Sequence, residues 1–104
     1  LEPGAWSSQR HWHDGEDEMV VMLAGTAVLV EDEGESEVGP GDILAWAKGS
    51  TNGHHLINRS DAPCTFVAIS AGPRTGGGYS DIDMVFTDDG RFCRRDGTEY
   101  PKRG

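Results

Sequence analysis

The sequence predicts an all-β fold, a sandwich or barrel of short antiparallel strands. Two observations carry that reading. Short apolar runs rich in valine and isoleucine recur at roughly 8–12-residue spacing, with turn residues between them. Glycine is abundant, 15 of 104 residues, against a hydrophobic content of 36%, which suits strands joined by tight turns better than long helices.

Taken in order, Gln9 to His13 reads as a strand with Gln9, His11 and His13 on one face and Arg10 and Trp12 on the other. Met19 to Leu23 is continuously apolar, Ala24-Gly25 turns, and Thr26 to Val30 follows, so the two runs read as a hairpin. A helix is the competing reading for residues 18–30; Gly25 in its middle and the β-branched density oppose it. Glu31 to Glu37 is expected to be an acidic turn around Gly34. Val38-Gly39-Pro40-Gly41-Asp42 makes a second turn before a strand over Ile43 to Trp46. Lys48 to Gly53 is a loop, His54 to Asn58 a short strand, Arg59 to Pro63 a turn and Cys64 to Ser70 a strand.

The character then changes. Ala71 to Gly78 reads as a Gly-rich linker, Asp83 to Phe86 as a strand, and Asp88-Asp89-Gly90 and Asp96-Gly97 as hairpin-type turns. Residues 1–72 are therefore assigned to a barrel, and residues 73–104 to a linker and a small C-terminal β-hairpin appendage with a frayed end. The first histidine stands only ten residues into the chain, which opens at Leu1. Little room remains for strands ahead of it, so the natural protein is expected to begin earlier.

Bulk properties set the function classes. A chain of 104 residues supports one core. A net charge of −9 argues against nucleic-acid binding, which needs a basic face. The acidic clusters at 14–18, 31–37 and 81–89 fall between apolar runs and read as solvated turns. No apolar stretch reaches the roughly 18 residues of a membrane helix, and no signal-peptide pattern is visible. Cys64 and Cys93 lack metal-type spacing, and Cys64 sits in an apolar run as a small buried hydrophobe. Free thiols make a cytoplasmic location the default expectation, and the Asn58-Arg59-Ser60 sequon then carries almost no weight.

The chemistry concentrates in two places. His11-Trp12-His13 puts two imidazoles on one strand face, and Glu18 returns on the next strand after a short loop. Two neutral imidazoles and a carboxylate make a facial ligand set with open positions for water, dioxygen or a chelating substrate. A fourth ligand, His54, arrives after the turn-rich segment 49–53. A lone His-x-His is often a surface pair. Its co-occurrence with Glu-x6-Gly, Pro-Gly-Asp and His-x3-Asn, in that order, favours a divided metal site. Val20 and Met22 share a face with Glu18 and are expected to floor the pocket, with Leu44 and Trp46 lining it. Arg10 and Lys48 read as surface ion-pair partners, and Gly25, Gly41 and Gly49 as turn residues.

The segment Gly4 to Gly25 resembles the first cupin motif, Gly-x5-His-x-His-x3,4-Glu-x6-Gly, with one extra residue before His11. Gly41 to Asn58 resembles the second, Gly-x5-Pro-x-Gly-x2-His-x3-Asn, with Ala47 in place of the proline and two extra residues before His54. The resemblance covers roughly residues 1–72 and implies a double-stranded β-helix, the cupin jelly-roll barrel. It implies His11, His13, Glu18 and His54 as ligands of one divalent transition metal: Fe, Mn, Ni, Co, Cu or Zn. The stretched loop leaves His55 as a rival to His54, because consecutive strand residues face opposite ways. Residues 53–61 and 79–83 are similar to those of small bacterial cupins with a C-terminal hairpin, some provisionally labelled sugar-phosphate isomerases.

Three functions are compatible with these residues. The first is a metal-dependent enzyme acting on a small polar, sugar-like or hydroxy-carbonyl substrate, by isomerase, lyase or dioxygenase chemistry. The second is a non-catalytic module that binds or senses a small ligand. The third is a degenerate domain with a structural role. The presence of all four ligand candidates favours the first two, and the lack of a second acid/base candidate at a clear pocket position keeps the binding module open. A homodimer is expected, since barrel edges need covering.

Overall fold

The computed structural model describes residues 1–73 and 75–100. Among these the regular structure is ten β-strands: β1 (His11–His13), β2 (Asp17–Ala24), β3 (Ala27–Glu31), β4 (Gly34–Val38), β5 (Ile43–Trp46), β6 (His55–Ile57), β7 (Thr65–Ala71), β8 (Gly76–Tyr79), β9 (Val85–Thr87) and β10 (Phe92–Cys93). They form three antiparallel sheets with strand orders β5-β2-β7, β4-β3-β6 and β1-β8-β9-β10. The all-β barrel expected from the sequence is what the chain builds. The C-terminal appendage includes the β9–β10 hairpin, which turns at Asp88-Asp89-Gly90.

The first two sheets enclose the core. Val20 and Met22 point inward from β2, Ala27 and Leu29 from β3, Val38 from β4, Trp46 from β5 and Leu56 from β6, with Cys64 beside them. Strand alternation sends the neighbours Met19, Val21 and Leu23 to the opposite face of β2. There Val21 pairs with Ile43 and Val67, and Met19 with Ala45 and Ile69. Ile43, Leu23, Ile69 and Val67 on this outer face are 63%, 53%, 46% and 42% exposed.

The runs flanking Gly25 are not a hairpin. β2 pairs with β5 and β7, while β3 pairs with β4 and β6. Gly25 is a corner that carries the chain from one sheet to the other. Its φ is +75°, and a Cβ there would lie 2.7 Å from the Pro63 carbonyl oxygen and 2.8 Å from Cys64 Cα. Only glycine combines that dihedral with so close an approach.

Two further segments differ from the sequence reading. Gly34 to Val38, read as the end of the acidic turn 31–37 and the start of the next turn at Val38, is strand β4, paired with β3 from Glu31↔Gly34 to Ala27↔Val38. Glu35, Ser36 and Glu37 are all exposed on it, the charged dressing of an edge strand rather than a loop composition. Ala71 to Gly78, read as a linker, is strand at both ends: β7 runs through Ala71, and Gly76-Gly77-Gly78 enters β8. Glycine lowers strand propensity, but here β1 and β9 clamp β8 from both sides. The expectation of a frayed end falls on residues 101–104, which lie outside the described residues.

Two side chains hold the long connections. Asn58, with no exposed surface, donates through Nδ2 to the Leu1 and Ala62 carbonyls and accepts through Oδ1 from the Ser60 amide and hydroxyl. Arg10 donates to both carboxylate oxygens of Asp81, to Asp32 and to the Gly53 carbonyl. It ties the approach to β1 to the β3–β4 turn, the loop before His54 and the loop after β8.

Candidate metal centre

Four elements bring the expected ligands together. β1 pairs with β8 along His11↔Tyr79, Trp12↔Gly78 and His13↔Gly77, and His11 also bridges His54 through reciprocal backbone hydrogen bonds. Register therefore fixes His11 beside His54 and puts His11 and His13 on one face, with ring centroids 5.0 Å apart. Glu18 enters from β2 with one carboxylate oxygen to each neighbour: Oε2 lies 3.1 Å from His13 Nε2 and Oε1 lies 2.8 Å from His54 Nε2. Ligand atoms of His11, Glu18 and His54 all fall within 4.8 Å of one another. His13 joins that group through Glu18.

The surrounding hydrogen bonds set the imidazoles. His11 Nδ1 faces the Gln9 carbonyl at 2.8 Å and His54 Nδ1 faces the Asn52 carbonyl at 3.2 Å. Each backbone oxygen requires a hydrogen on the Nδ1 it faces, which directs Nε2 as the free lone pair. For His54 this creates a conflict. A neutral imidazole carries one N–H, yet acceptor oxygens face both of its nitrogens, Asn52 O on one side and Glu18 on the other. A cation held by His54 and Glu18 would remove it, and in that respect the donor set fits a metal ion.

Charge follows the same geometry. Burial alone would raise the Glu18 carboxyl, but the hydrogen bonds from His13 and His54 outweigh it and hold the group far below the usual carboxylate range. The bond to Glu18 raises His13 above its ordinary value. His11 moves the other way, because burial disfavours its charged form. The centre thus presents one firmly ionised carboxylate and one imidazole held neutral.

His54 is positioned by a neighbour whose part in this the sequence does not reveal. The Trp46 indole stacks on it at 3.6 Å between centroids and 6° between planes, and Trp46 Nε1 donates to Glu31 Oε2 at 3.0 Å. Asn52 Nδ2 donates to the same oxygen. Glu31 thus anchors both the ring packed on His54 and the residue whose carbonyl meets its Nδ1. His55 turns away: it is buried against Trp6 and its Nδ1 meets the Ser8 carbonyl at 2.9 Å. Val20 and Met22 belong to the hydrophobic core with Leu44 packed against them, and none of the three lines the open cleft beside the histidines. Burial on the inward face of β2 is continuous, so a residue sharing the Glu18 face goes into the core as soon as the strand leaves the rim.

That cleft, of about 1520 Å³, is bounded by His11 and His13 on the barrel side and by Tyr79, Met84, Phe86 and Tyr100 from the C-terminal segment. The sequence reading missed these residues. The signal is the glycine run ending in Tyr79, whose composition reads as a linker but which forms β8.

Comparisons with known proteins agree with the geometry. The family model described as "Cupin domain" matches residues 1–70. No curated protein matches the chain. Among solved structures, a sugar phosphate isomerase of the cupin superfamily from Silicibacter pomeroyi DSS-3 superposes with a TM-score of 0.87 at 44% identity, over 97% of this chain and 67% of that one. A Cupin 2 conserved barrel domain protein from Salinispora arenicola gives 0.59 at 26% identity, over 67% and 56%. A predicted oxalate decarboxylase of Thermotoga maritima gives 0.62 at 25% identity, over 69% and 60%. The chain spans only 56% to 67% of the length of these three proteins.

Proposed function

Because the chain belongs to the cupin domain family, we propose that it is a metal-binding cupin acting as an enzyme on a small polar substrate, sugar-like or hydroxy-carbonyl in chemistry. His11, His13, Glu18 and His54 hold one divalent transition metal ion, drawn from Fe, Mn, Ni, Co, Cu and Zn. The observation that carries this reading is the pair of Glu18 oxygens facing His13 and His54, with a ligand atom of His11 in range. Such an ion, when bound, supplies Lewis acidity toward a carbonyl or hydroxyl oxygen.

The chain's own residues do the rest. Gln9 O and Asn52 O hold the tautomers of His11 and His54, Trp46 keeps the His54 ring in place, and Glu18 balances the charge. The cleft gives a substrate access along the His11 and His13 side. Isomerase and lyase chemistry are supported by the names of the Silicibacter and Thermotoga neighbours, and dioxygenase chemistry by the mixed histidine and carboxylate donors. Turnover of hydroxy-carbonyl sugars, thiols and diphenols, assayed with each metal in turn, tests the proposal. Metal-dependent conversion of one class is the expected result; a fully loaded protein that converts none would refute the enzymatic reading.

One observation favours a second reading, a non-catalytic module that binds or senses a small ligand. Glu18, His13 and His54 are engaged with one another, and His11 is itself a candidate ligand, so a loaded centre leaves none of the four free as a base. Saturable ligand binding without turnover would select it. We also place the protein in the cytoplasm as a homodimer. The apolar outer face formed by Ile43, Leu23, Val67 and Ile69 supports the dimer, and a monomer in sedimentation at micromolar concentration would contradict it.

A further inference from the structure

Resting on the metal-centre reading above, we infer that the C-terminal segment adds a ring-stacking subsite to that centre. Its ligand is a ring with an apolar face, bearing two adjacent oxygens and no phosphate.

The subsite follows from the glycine strand. β8 lies between β1 and β9, with His13↔Gly77 on one side and Gly77↔Phe86 on the other. A Cβ on Gly77 would collide with the Trp12 carbonyl oxygen and lie 2.5 Å from the Phe86 ring. The missing side chain lets the Phe86 ring lie over the strand, where its centroid is 5.7 Å from that of His13. Two residues along, Tyr79 is the register partner of His11, with its ring 6.3 Å from the His11 ring and 5.7 Å from Phe86. Two candidate ligand imidazoles and two aromatic rings thus form one continuous wall of the same cleft, extended by Ile82 and Met84.

Such a wall suits a ring with an apolar face. Aromatic faces take other rings in offset or edge contact, and an apolar ring face gains from leaving water there. Two adjacent oxygens on that ring can reach toward His11 and His13 while its body rests on Phe86 and Tyr79. The charge of the described lining disfavours a phosphate ester. Among the described residues, Glu16, Asp88, Asp89 and Glu99 line the cleft, and Arg91, the one lining Lys or Arg of these, is engaged by Asp89 at 2.8 Å and approached by Glu99 at 3.8 Å. The chemistry is shared by a cyclic sugar, which offers a C–H face, and a catechol-type phenol, which offers a π face.

The test uses metal-loaded protein and 4-nitrocatechol, whose visible absorbance shifts on chelation, with D-fructose and fructose 6-phosphate as competitors. We expect nitrocatechol to bind the wild type and Phe86→Ala to weaken it about tenfold or more, the loss of roughly one ring contact with its buried area. Metal content should stay at the wild-type level. Phe86→Tyr should return the affinity to within about threefold, which guards against a folding defect in the alanine variant. Displacement by fructose at lower concentration than by fructose 6-phosphate identifies the sugar source. Binding of nitrocatechol with no displacement by fructose identifies the phenol source, and both outcomes support the subsite. Full metal with equal nitrocatechol affinity in wild type and Phe86→Ala overturns this inference alone, as does tighter binding of fructose 6-phosphate than of fructose. A wild type that takes up no metal overturns the metal reading and this inference with it.

Discussion

Replacing Glu18 by glutamine isolates the electrostatics of the centre without changing its shape. One carboxylate oxygen faces His13 Nε2 and the other faces His54 Nε2. An amide has a single acceptor oxygen, so one imidazole must face an NH2 group instead. One charge-assisted hydrogen bond is lost, worth about 1.5–3 kcal/mol in the metal-free protein. The pH dependence has a definite sign. Glu18 lies below its ordinary 4.5, so its contribution is present above that value and fades as pH falls through the depressed one. His13 lies above its ordinary 6.5, so its contribution is complete below 6.5 and is lost as pH rises through the elevated value. The difference between wild type and variant should therefore be greatest between pH 4.5 and 6.5 and shrink toward pH 9. Urea unfolding of metal-free protein across that range measures it. A variant as stable as wild type at pH 6, or a difference that grows toward pH 9, would refute the assigned pairing.

Other substitutions probe separate parts of the account. His54→Ala should lower metal affinity by about 100-fold or more, the scale set by disturbing metal-site partners. His55→Ala should leave metal content at the wild-type level, and equal losses by titration would show that His54 is not the ligand of the two. Asn58→Ala removes the hub of four buried hydrogen bonds and should cost about 2–4 kcal/mol in urea unfolding; a cost below about 0.5 kcal/mol would contradict its structural role. Arg10→Ala, in contrast, removes ion pairs whose carboxylate partners are half exposed, so about 1–2 kcal/mol is expected. It should also raise amide exchange in the loop after β8, and unchanged exchange there would argue against the Arg10 tie.

The juxtaposition of the candidate ligands was legible in the sequence because strand geometry is simple. Residues two apart share a face, so His11 and His13 could be placed together before any coordinates, and Glu18 followed from the short loop between them. The choice between His54 and His55 was not open to that logic. It turned on the two inserted residues before His54, whose effect depends on the β1 backbone that His54 bridges. Pairing partners were similarly hidden. The runs on either side of Gly25 look like a hairpin because they are close in sequence, yet each is claimed by strands distant in the chain. The acidic strand β4 and the glycine strand β8 were missed for a shared reason: composition reports intrinsic preference, whereas both are held by neighbours on the sheet. The cleft wall was lost along with β8.

Asn58 shows the opposite lesson. It closes the motif that begins at Gly41, and such a position invites a role at the metal. Its side chain instead sits in the turn before Cys64, bonded to Leu1, Ser60 and Ala62. The motif thus mixes residues that meet at the candidate centre with residues that shape the turn delivering them.

The most direct test is a crystal of protein purified without a histidine tag and soaked in Mn(II) or Fe(II), measured on both sides of the metal's absorption edge. The account predicts one anomalous peak per chain, within bonding distance of His11, His13, Glu18 and His54. No peak there after soaking, or a peak bound by His55 in place of His54, would contradict it.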